Sequence, residues 1–458
     1  RVMNKVWILI LGPVVAAALG MGLFASGFGN DVAWTAAVTA ICAIWWVFEP
    51  IPIAATSLIP LAVLPLVGVL PASQVSAAYG NKLILLMLGG FILSTAMERS
   101  GAHRRIALGM VSLFGGSNGR RLVFGFMTAS AVLSMWISNA GTTIMLLPIA
   151  MAVLGQTDNR RLESSLLLGI AYAASVGGIG TPIGTPPNLV FMQEYARTTG
   201  VEPAFTDWMM WTIPIVVIMI PIMGFWLTRG LSNVGTIELP DPGKWRAEEV
   251  RTLLVFAITA TLWITRKQPF GGWSGQFEFL SGAQDFSVGL LAVVAMFIIP
   301  NGKGEKLLDW ETAATIPWGI LILFGGGITI ARAFESSGLS QLLGGALASV
   351  GTWPVLLLMA VICLAVTFLT EVTSNTATTT LLMPILAAAA VAADIEPKIM
   401  MVPATISASF AFMLPVATPP NAIVFGSKRF TVKEMAREGL MLNLIGVLVV
   451  PRICYVLL

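Results

Sequence analysis

The chain is poor in the residues with which soluble proteins cover their surface and build catalytic sites. Only 11% of its 458 residues are charged, one is histidine, and the three cysteines show no paired spacing. A soluble domain carries about 25% charged residues, so a secreted or cytosolic enzyme is excluded. His103, the single histidine, is expected in a basic loop. This residue and the scattered cysteines also exclude a His-based metal site, a catalytic triad, a disulfide framework and a zinc site. The net charge of +3 is too small and too dispersed for a nucleic-acid partner.

What the chain has instead is apolar sequence. Hydrophobic residues make up 56% of it, and apolar runs of about 20 residues recur from Trp7 to Leu457 between short polar segments. This pattern predicts an all-α polytopic membrane protein with about 11 transmembrane helices, whose first partner is the lipid bilayer. The expected spans lie near 6–25, 32–49, 53–70, 82–98, 165–192, 208–228, 252–265, 286–300, 314–334, 399–425 and 438–457.

Two further apolar blocks, 121–155 and 353–392, are each interrupted at the middle by a polar Ser-Asn segment. Each block is long enough for two half-length arms, so both are predicted to be re-entrant hairpins. If the N-terminus is cytoplasmic and each hairpin returns to its own side, 19 of the 26 basic residues lie in the cytoplasm. The positive-inside rule therefore favours a cytoplasmic N-terminus, and we expect a multi-pass protein of a bacterial inner membrane.

Three polar motifs of the first half recur in the second half in the same order. The matched segments are 88–101 with 325–338, 136–148 with 372–384, and 183–191 with 416–425, at offsets of 237, 236 and 233 residues. Five predicted crossings separate the two Ser-Asn segments, and an odd number means that the second half enters from the opposite side. This arrangement indicates the inverted repeat of secondary transporters, with the binding site near the midplane.

Each half also carries a Thr-Pro-Pro-Asn segment, and prolines interrupt a helix because they lack the N–H and clash with the preceding turn. The freed carbonyls and nearby Asn, Ser and Thr oxygens suit sodium, and the helix N-termini suit an anion. The windows 129–150, 170–192, 374–393 and 402–425 contain no Asp, Glu, Lys, Arg or His. Since such a site attracts a dianion only after cations have bound, the sequence predicts cation-coupled anion uptake.

These motifs resemble those of the divalent anion/sodium symporter family, which contains sodium-coupled transporters of di- and tricarboxylates and of sulfate. The resemblance lies in WISNAGTTIMLLP, GGIGTPIGTPPN, FLTEVTSNTATTTLLMP and FMLPVATPPNAIVF, and it extends over most of the chain. It implies a homodimer in which each protomer has a scaffold domain and a transport domain that moves like an elevator. It also implies two or more bound Na⁺ ions, a small anionic substrate and no organic cofactor.

The resemblance assigns site residues by position. It implies a first sodium site with Ser134, Ser138, Asn139 and Gly184, and a second with Thr370, Thr373, Asn375 and Ala417. The implied substrate residues are Ser138, Asn139, Thr185, Ser374, Asn375, Thr376, Thr418 and Pro419. Ala140 stands where the family usually has Thr, which removes a hydroxyl from the first tip.

The sequence thus predicts a sodium-coupled importer of a C4-dicarboxylate such as succinate, malate or fumarate, with no enzymatic activity. A sodium-coupled sulfate carrier, a sodium-independent dicarboxylate exchanger and an anion channel remain as alternatives. The expected division is 1–81 as N-terminal scaffold helices, 82–235 as the first repeat, 236–313 as connecting scaffold helices, and 314–458 as the second repeat with the C-terminal helix. Within the repeats, 165–192 and 399–425 are expected to be broken helices.

Overall fold

A computed structural model describes residues 2–115, 118–231, 237–267, 271–347 and 352–458. In these ranges the regular structure is helical, because a chain in lipid must satisfy its backbone hydrogen bonds within each segment. The helices are α1 Val2–Ala25, α2 Asn30–Phe48, α3 Ile53–Thr56, α4 Leu58–Leu66, α5 Ala72–Tyr79, α6 Lys82–Ser100, α7 Ala102–Phe114, α8 Gly119–Ser134, α9 Asn139–Leu154, α10 Arg160–Gly178, α11 Pro186–Thr199, α12 Phe205–Leu227, α13 Ala247–Ile264, α14 Gly272–Gln276, α15 Asp285–Ile298, α16 Trp310–Ala313, α17 Trp318–Ser337, α18 Leu339–Leu347, α19 Val355–Thr370, α20 Asn375–Ala392, α21 Pro397–Ala408, α22 Pro419–Phe425 and α23 Val432–Leu457.

Seven helical segments of the described chain are long and apolar enough to cross a membrane. They are Val6–Ala25, Asn30–Phe48, Ala72–Ser100, Phe205–Leu227, Trp318–Ser337, Asn375–Ala392 and Val432–Leu457. Shorter apolar helices accompany them at Ile53–Leu66, Asn139–Leu154, Asp285–Ile298 and Val355–Thr370. The architecture is therefore the all-helical one that the hydropathy pattern predicts.

The repeat in the sequence is also a repeat of helices. The series α6 to α12 corresponds in order to the series α17 to α23. The repeat is clearest at the ends of α6 and α17, which have the same C-cap. There Gly101 and Gly338 adopt the left-handed conformation with φ of 75° and 86°. Their N–H groups bond the carbonyls of Glu98 and Glu335, and a short helix follows at once in both halves.

Each half contains one helical hairpin and one broken helix. The hairpins are α8–α9 and α19–α20, and the broken helices are α10–α11 and α21–α22. In each half the first hairpin arm packs on the first segment of the broken helix, as α8 does on α10 and α19 on α21. The second arms cross over, so that α9 packs on α22 and α20 packs on α11. This exchange joins the Ser-Asn tips and the proline breaks of both halves in one body.

Two local expectations differ from the structure. The span expected at 53–70 is divided into α3 and α4, because Pro60 has no N–H to bond the Thr56 carbonyl. His103, expected in a basic loop, lies buried in the amphipathic helix α7, with Nδ1 3.0 Å from the Met97 carbonyl oxygen. Burial lowers the pKa of His103 to about 4, so the ring is neutral at pH 7. The expected domain boundary at 235/236 lies outside the described residues.

Candidate substrate and cation site

The two helix breaks are held open by matching asparagines. Asn188 Nδ2 donates to the carbonyls ten and seven residues earlier in the chain, those of Gly178 at 3.0 Å and Thr181 at 2.7 Å. Asn421 repeats this spacing with Ala411 and Leu414, at 2.9 and 3.0 Å. The sequence aligns the two asparagines with each other, but their partners become visible only when the backbone folds back. The asparagine of each Pro-Pro-Asn motif thus fixes the direction in which freed carbonyls point.

At the first tip, the hydroxyl of Ser134 donates to Asn139 Oδ1 over 2.6 Å, which joins the end of α8 to the start of α9. The broken helix closes on this pair, because Thr181 Oγ1 donates to the Met135 carbonyl. Gly184 lies against the same carbonyl, and a Cβ added there would be 3.0 Å from it. The structure therefore brings three of the predicted first sodium ligands into one neighbourhood. The fourth, Ser138, caps α9 by accepting from the Gly141 N–H at 3.0 Å.

The second tip repeats the arrangement with threonine in place of serine. Thr370 Oγ1 lies 2.7 Å from Asn375 Oδ1 and 3.0 Å from the Ala408 carbonyl oxygen at the end of α21. Thr373 is buried nearby and its hydroxyl contacts that of Thr378 at 2.6 Å. Ala417 is buried between the break and the start of α22. Two oxygen-rich neighbourhoods, one per half, thus lie at equivalent places.

The predicted substrate residues lie at the starts of four helices. Ser374 caps α20 by accepting from the Ala377 N–H at 3.5 Å, and Thr418 caps α22 by accepting from the Asn421 N–H at 3.2 Å. Thr185 precedes α11 without a side-chain cap bond, and Thr376 is buried in the first turn of α20. Pro419, the first residue of α22, is exposed. A helix start carries unpaired N–H groups and partial positive charge, which suit an anion.

Helix ends provide the complementary charge for cations. The helices α8, α10, α19 and α21 all end in the same body, and the end of a helix carries partial negative charge and unpaired carbonyls. Asn188 Oδ1 and Asn421 Oδ1 are buried without a hydrogen-bond partner in the described part of the chain. No group of three His, Cys, Asp or Glu side chains that could hold a metal occurs among the described residues. Neutral oxygens of this kind fit sodium rather than a transition metal.

The sequence does not assign Glu371 to the site, but in the structure this residue clamps the second break. The Glu371 carboxylate is buried and accepts from three successive backbone N–H groups, those of Phe412 at 2.7 Å, Met413 at 2.9 Å and Leu414 at 3.1 Å. Asn443 Nδ2 adds a fourth bond at 2.6 Å. This side chain therefore ties the second hairpin to the unwound segment and to α23.

The first tip also contacts helices outside the hairpins. Ser94 Oγ on α6 accepts from the Ser138 N–H at 3.3 Å. Trp136 stacks on Phe205 with ring centroids 6.2 Å apart, and Phe205 in turn stacks on Trp263 of α13 at 5.5 Å. These contacts make Trp136 a packing residue.

Comparisons with known proteins show which family and which individual proteins the chain is similar to. The family model described as "Sodium:sulfate symporter transmembrane region" matches residues 4–456. A protein of Staphylococcus saprophyticus named "Sodium-dependent dicarboxylate transporter SdcS" is 38% identical over 98% of this chain and 90% of its own length. The protein of the same name from Staphylococcus aureus strain USA300 is 39% identical, with the same coverage.

Among solved structures, the YdaH transporter of Alcanivorax borkumensis, whose topology is described as unusual, is similar with a TM-score of 0.61. The similarity covers 99% of this chain and 97% of that one at 15% sequence identity. At this identity the likeness concerns the fold alone.

Proposed function

Since the chain belongs to the sodium:sulfate symporter family, we propose that it is a sodium-coupled secondary active transporter that imports a C4-dicarboxylate such as succinate, malate or fumarate. Its relatives at 38% and 39% identity are named sodium-dependent dicarboxylate transporters and match nearly its whole length. They are transporters rather than enzymes, and the chain is a multi-pass membrane protein with several apolar helices. The bacterial inner membrane with a cytoplasmic N-terminus is the proposed location.

The observation that carries this proposal is the pair of matched tips, in which the facing Ser, Thr and Asn groups are neutral. Ser134–Asn139 and Thr370–Asn375 repeat the same five-residue contact, at 2.6 and 2.7 Å. A dianion gains little from such neutral groups until positive charge arrives with it. Sodium ions bound at both tips supply that charge, and anion binding in turn stabilises the bound cations. Coupling then follows from electrostatics, because each solute improves the site for the other.

We assign the cation and substrate contacts accordingly. The first sodium ion is bound by Ser134, Ser138, Asn139 and Gly184, and the second by Thr370, Thr373, Asn375 and Ala417, in part through carbonyl oxygens. The substrate carboxylates are bound by the hydroxyls and helix starts at Ser138, Asn139, Thr185, Ser374, Asn375, Thr376, Thr418 and Pro419. The crossed packing of α9 on α22 and α20 on α11 supports both assignments, since it joins all four segments in one body.

The same packing supports an elevator mechanism. The hairpins, broken helices, α12 and α23 form the proposed mobile domain, and the remaining helices form the scaffold. Moving this body as a unit carries the sodium and substrate contacts across the membrane without rebuilding them. A homodimer that holds two scaffolds together completes the proposed architecture.

A sodium-coupled sulfate carrier is the second candidate, and Ala140 is the observation that favours it. This position lacks a hydroxyl at the first tip, and a smaller tetrahedral anion needs fewer separated contacts than a dicarboxylate. Uptake of radiolabelled succinate and sulfate into proteoliposomes separates the two. Succinate uptake driven by an inward sodium gradient, and by neither potassium nor protons, supports the proposal. Uptake of sulfate without uptake of succinate would mean that the substrate is sulfate. Succinate exchange that does not depend on sodium would refute the proposed sodium coupling.

The site assignment has its own test. Asn139→Ala or Asn375→Ala should abolish sodium-dependent uptake, because each removes the amide that faces a tip hydroxyl. Monodisperse protein with an unchanged circular dichroism spectrum would show that folding is intact. Full activity of both variants would refute the assignment of the two sodium sites.

A further inference from the structure

A polar recess of about 500 Å³ lies between the end of α11, the start of α6, α5 and the end of α17. The topology predicted from the basic residues places these helix ends on the outer side of the membrane. We call it the outer recess, and its polar lining includes Gln74, Lys82, Gln193, Arg197, Arg332 and Glu335. It lies between the proposed mobile domain, to which α11 belongs, and the proposed scaffold.

Two of the three cationic side chains of the outer recess are neutralised. Lys82 pairs with Glu202. Arg197 is held by the buried Glu194 and bonds Glu335 Oε2 at 2.6 Å. Both residues therefore have carboxylate partners that offset their charge.

Arg332 differs from these two residues. Its Nη1 donates to the Gln74 carbonyl, and no carboxylate of the described chain lies within ion-pair distance of it. A guanidinium has five N–H donors in a planar fork that matches a carboxylate. Most of the hydrogen-bond donors of Arg332 are therefore available to a ligand. The Arg332 side chain thus offers an incoming anion unused donors and a charge that no contacting carboxylate offsets.

A second, much smaller cavity lies beside the outer recess. It has a volume of about 20 Å³, shares Gln193 with the recess and lies between α11, α17 and α20. Thr380 of α20 lines this inner cavity, and its hydroxyl is buried without a partner in the described residues. Asn375, at the second tip, begins the same helix. The two cavities therefore follow α11 from the outer surface towards the second Ser-Asn tip.

We propose that the outer recess is an anion-recruitment site, in which Arg332 binds one carboxylate of the incoming substrate before the substrate reaches the tips. The identity of that substrate as a dicarboxylate rests on the proposed function. The recruitment step itself requires only a small anion on the outer side. It raises the local anion concentration and so lowers the KM for uptake, while the maximal rate is set elsewhere.

The first experiment measures the charge of the recess without transport. Ser336 lines the outer recess and is exposed, and Cys42, Cys363 and Cys454 are buried, so Ser336→Cys supplies one reactive thiol. We expect a negatively charged thiosulfonate to react faster than a positively charged one, and Arg332→Gln to lower this rate ratio about fivefold. Succinate should protect the thiol when Arg332 is present and fail to protect it in Arg332→Gln. A rate ratio that Arg332→Gln does not change would overturn the proposal.

The second experiment measures uptake. Arg332→Gln should raise the KM for succinate about fivefold to tenfold at low salt, with the maximal rate and the sodium dependence unchanged. Arg332→Lys, which keeps the charge, should restore most of the loss. Arg452→Gln is the matched control, because Arg452 also donates to a backbone carbonyl, that of Leu448 at 3.0 Å, and the described chain offers it no carboxylate. If the parent protein imports no succinate, the proposed function is wrong. The thiol-labelling experiment needs no transport, so it still tests whether Arg332 attracts anions to the outer recess. An unchanged KM in Arg332→Gln would contradict recruitment.

Discussion

The Thr370→Val variant tests whether the Thr370 hydroxyl binds sodium or only stabilises the fold. Valine has nearly the same shape and lacks only the hydroxyl, which in the structure lies 2.7 Å from Asn375 Oδ1 and 3.0 Å from the Ala408 carbonyl oxygen. The residue is fully buried, so water does not replace the lost group without cost. The change therefore removes one oxygen from the proposed second sodium site and leaves two buried acceptors facing a methyl group.

The size of the effect follows from these contacts. Leaving a buried polar group without its partner costs about 1–3 kcal/mol. If that cost falls on the sodium-bound state, the sodium concentration for half-maximal uptake rises by about fivefold to 150-fold. The KM for succinate at saturating sodium should change much less, because Thr370 is assigned to the cation and not to the anion.

The assay is succinate uptake into proteoliposomes over a range of external sodium concentrations. Thr405→Val is the matched control, because Thr405 is a buried threonine of the same half whose hydroxyl bonds the Met401 carbonyl of its own helix at 2.8 Å. Both variants should lower the Tm, and only Thr370→Val should shift the sodium dependence. A lowered Tm for Thr370→Val with an unchanged sodium dependence would show that the hydroxyl is structural, and the second site would be refuted.

Three further changes probe the anion preference and the second break. Ala140→Thr should raise the ratio of succinate to sulfate uptake, and an unchanged ratio would show that this position does not select. Glu371→Gln should lower the Tm and the uptake rate together, since an amide cannot accept from all of the buried N–H groups and each lost bond costs about 1–3 kcal/mol; wild-type stability would refute the clamp. Gly439→Ala should abolish uptake, because a Cβ would lie 2.7 Å from the Met413 backbone nitrogen at the second break. In Gly109→Ala, where the added Cβ meets no atom within 4 Å, activity should be unchanged, and equal losses in both glycine variants would contradict the packing argument.

The features that the sequence predicts well are those with a local cause. Paired prolines interrupt a helix wherever they occur, so the breaks before α11 and α22 could be placed before any packing was known. The Ser-Asn segments divide their apolar blocks for an equally local reason, since serine caps the arm that follows it. The repeat could be detected because polar motifs stand out within apolar sequence.

The features that the sequence leaves open depend on distant contacts. The bond from Thr370 to the Ala408 carbonyl joins residues 38 positions apart and exists only because α19 packs on α21. The basic neighbours of His103 suggest a loop, but burial of one face of α7 makes that segment a helix. The partners of Glu371 and the isolated charge of Arg332 likewise result from tertiary packing, which leaves no pattern in the local sequence.

Coupled transport means that sodium and a divalent anion cross the membrane together on one site. This coupling can be measured by following radiolabelled sodium and radiolabelled succinate in the same proteoliposomes. We predict that neither moves without the other, that at least two sodium ions enter with each succinate, and that Asn139→Ala and Asn375→Ala abolish both fluxes. Succinate accumulation without sodium movement, or sodium flux that ignores succinate, would contradict coupled transport.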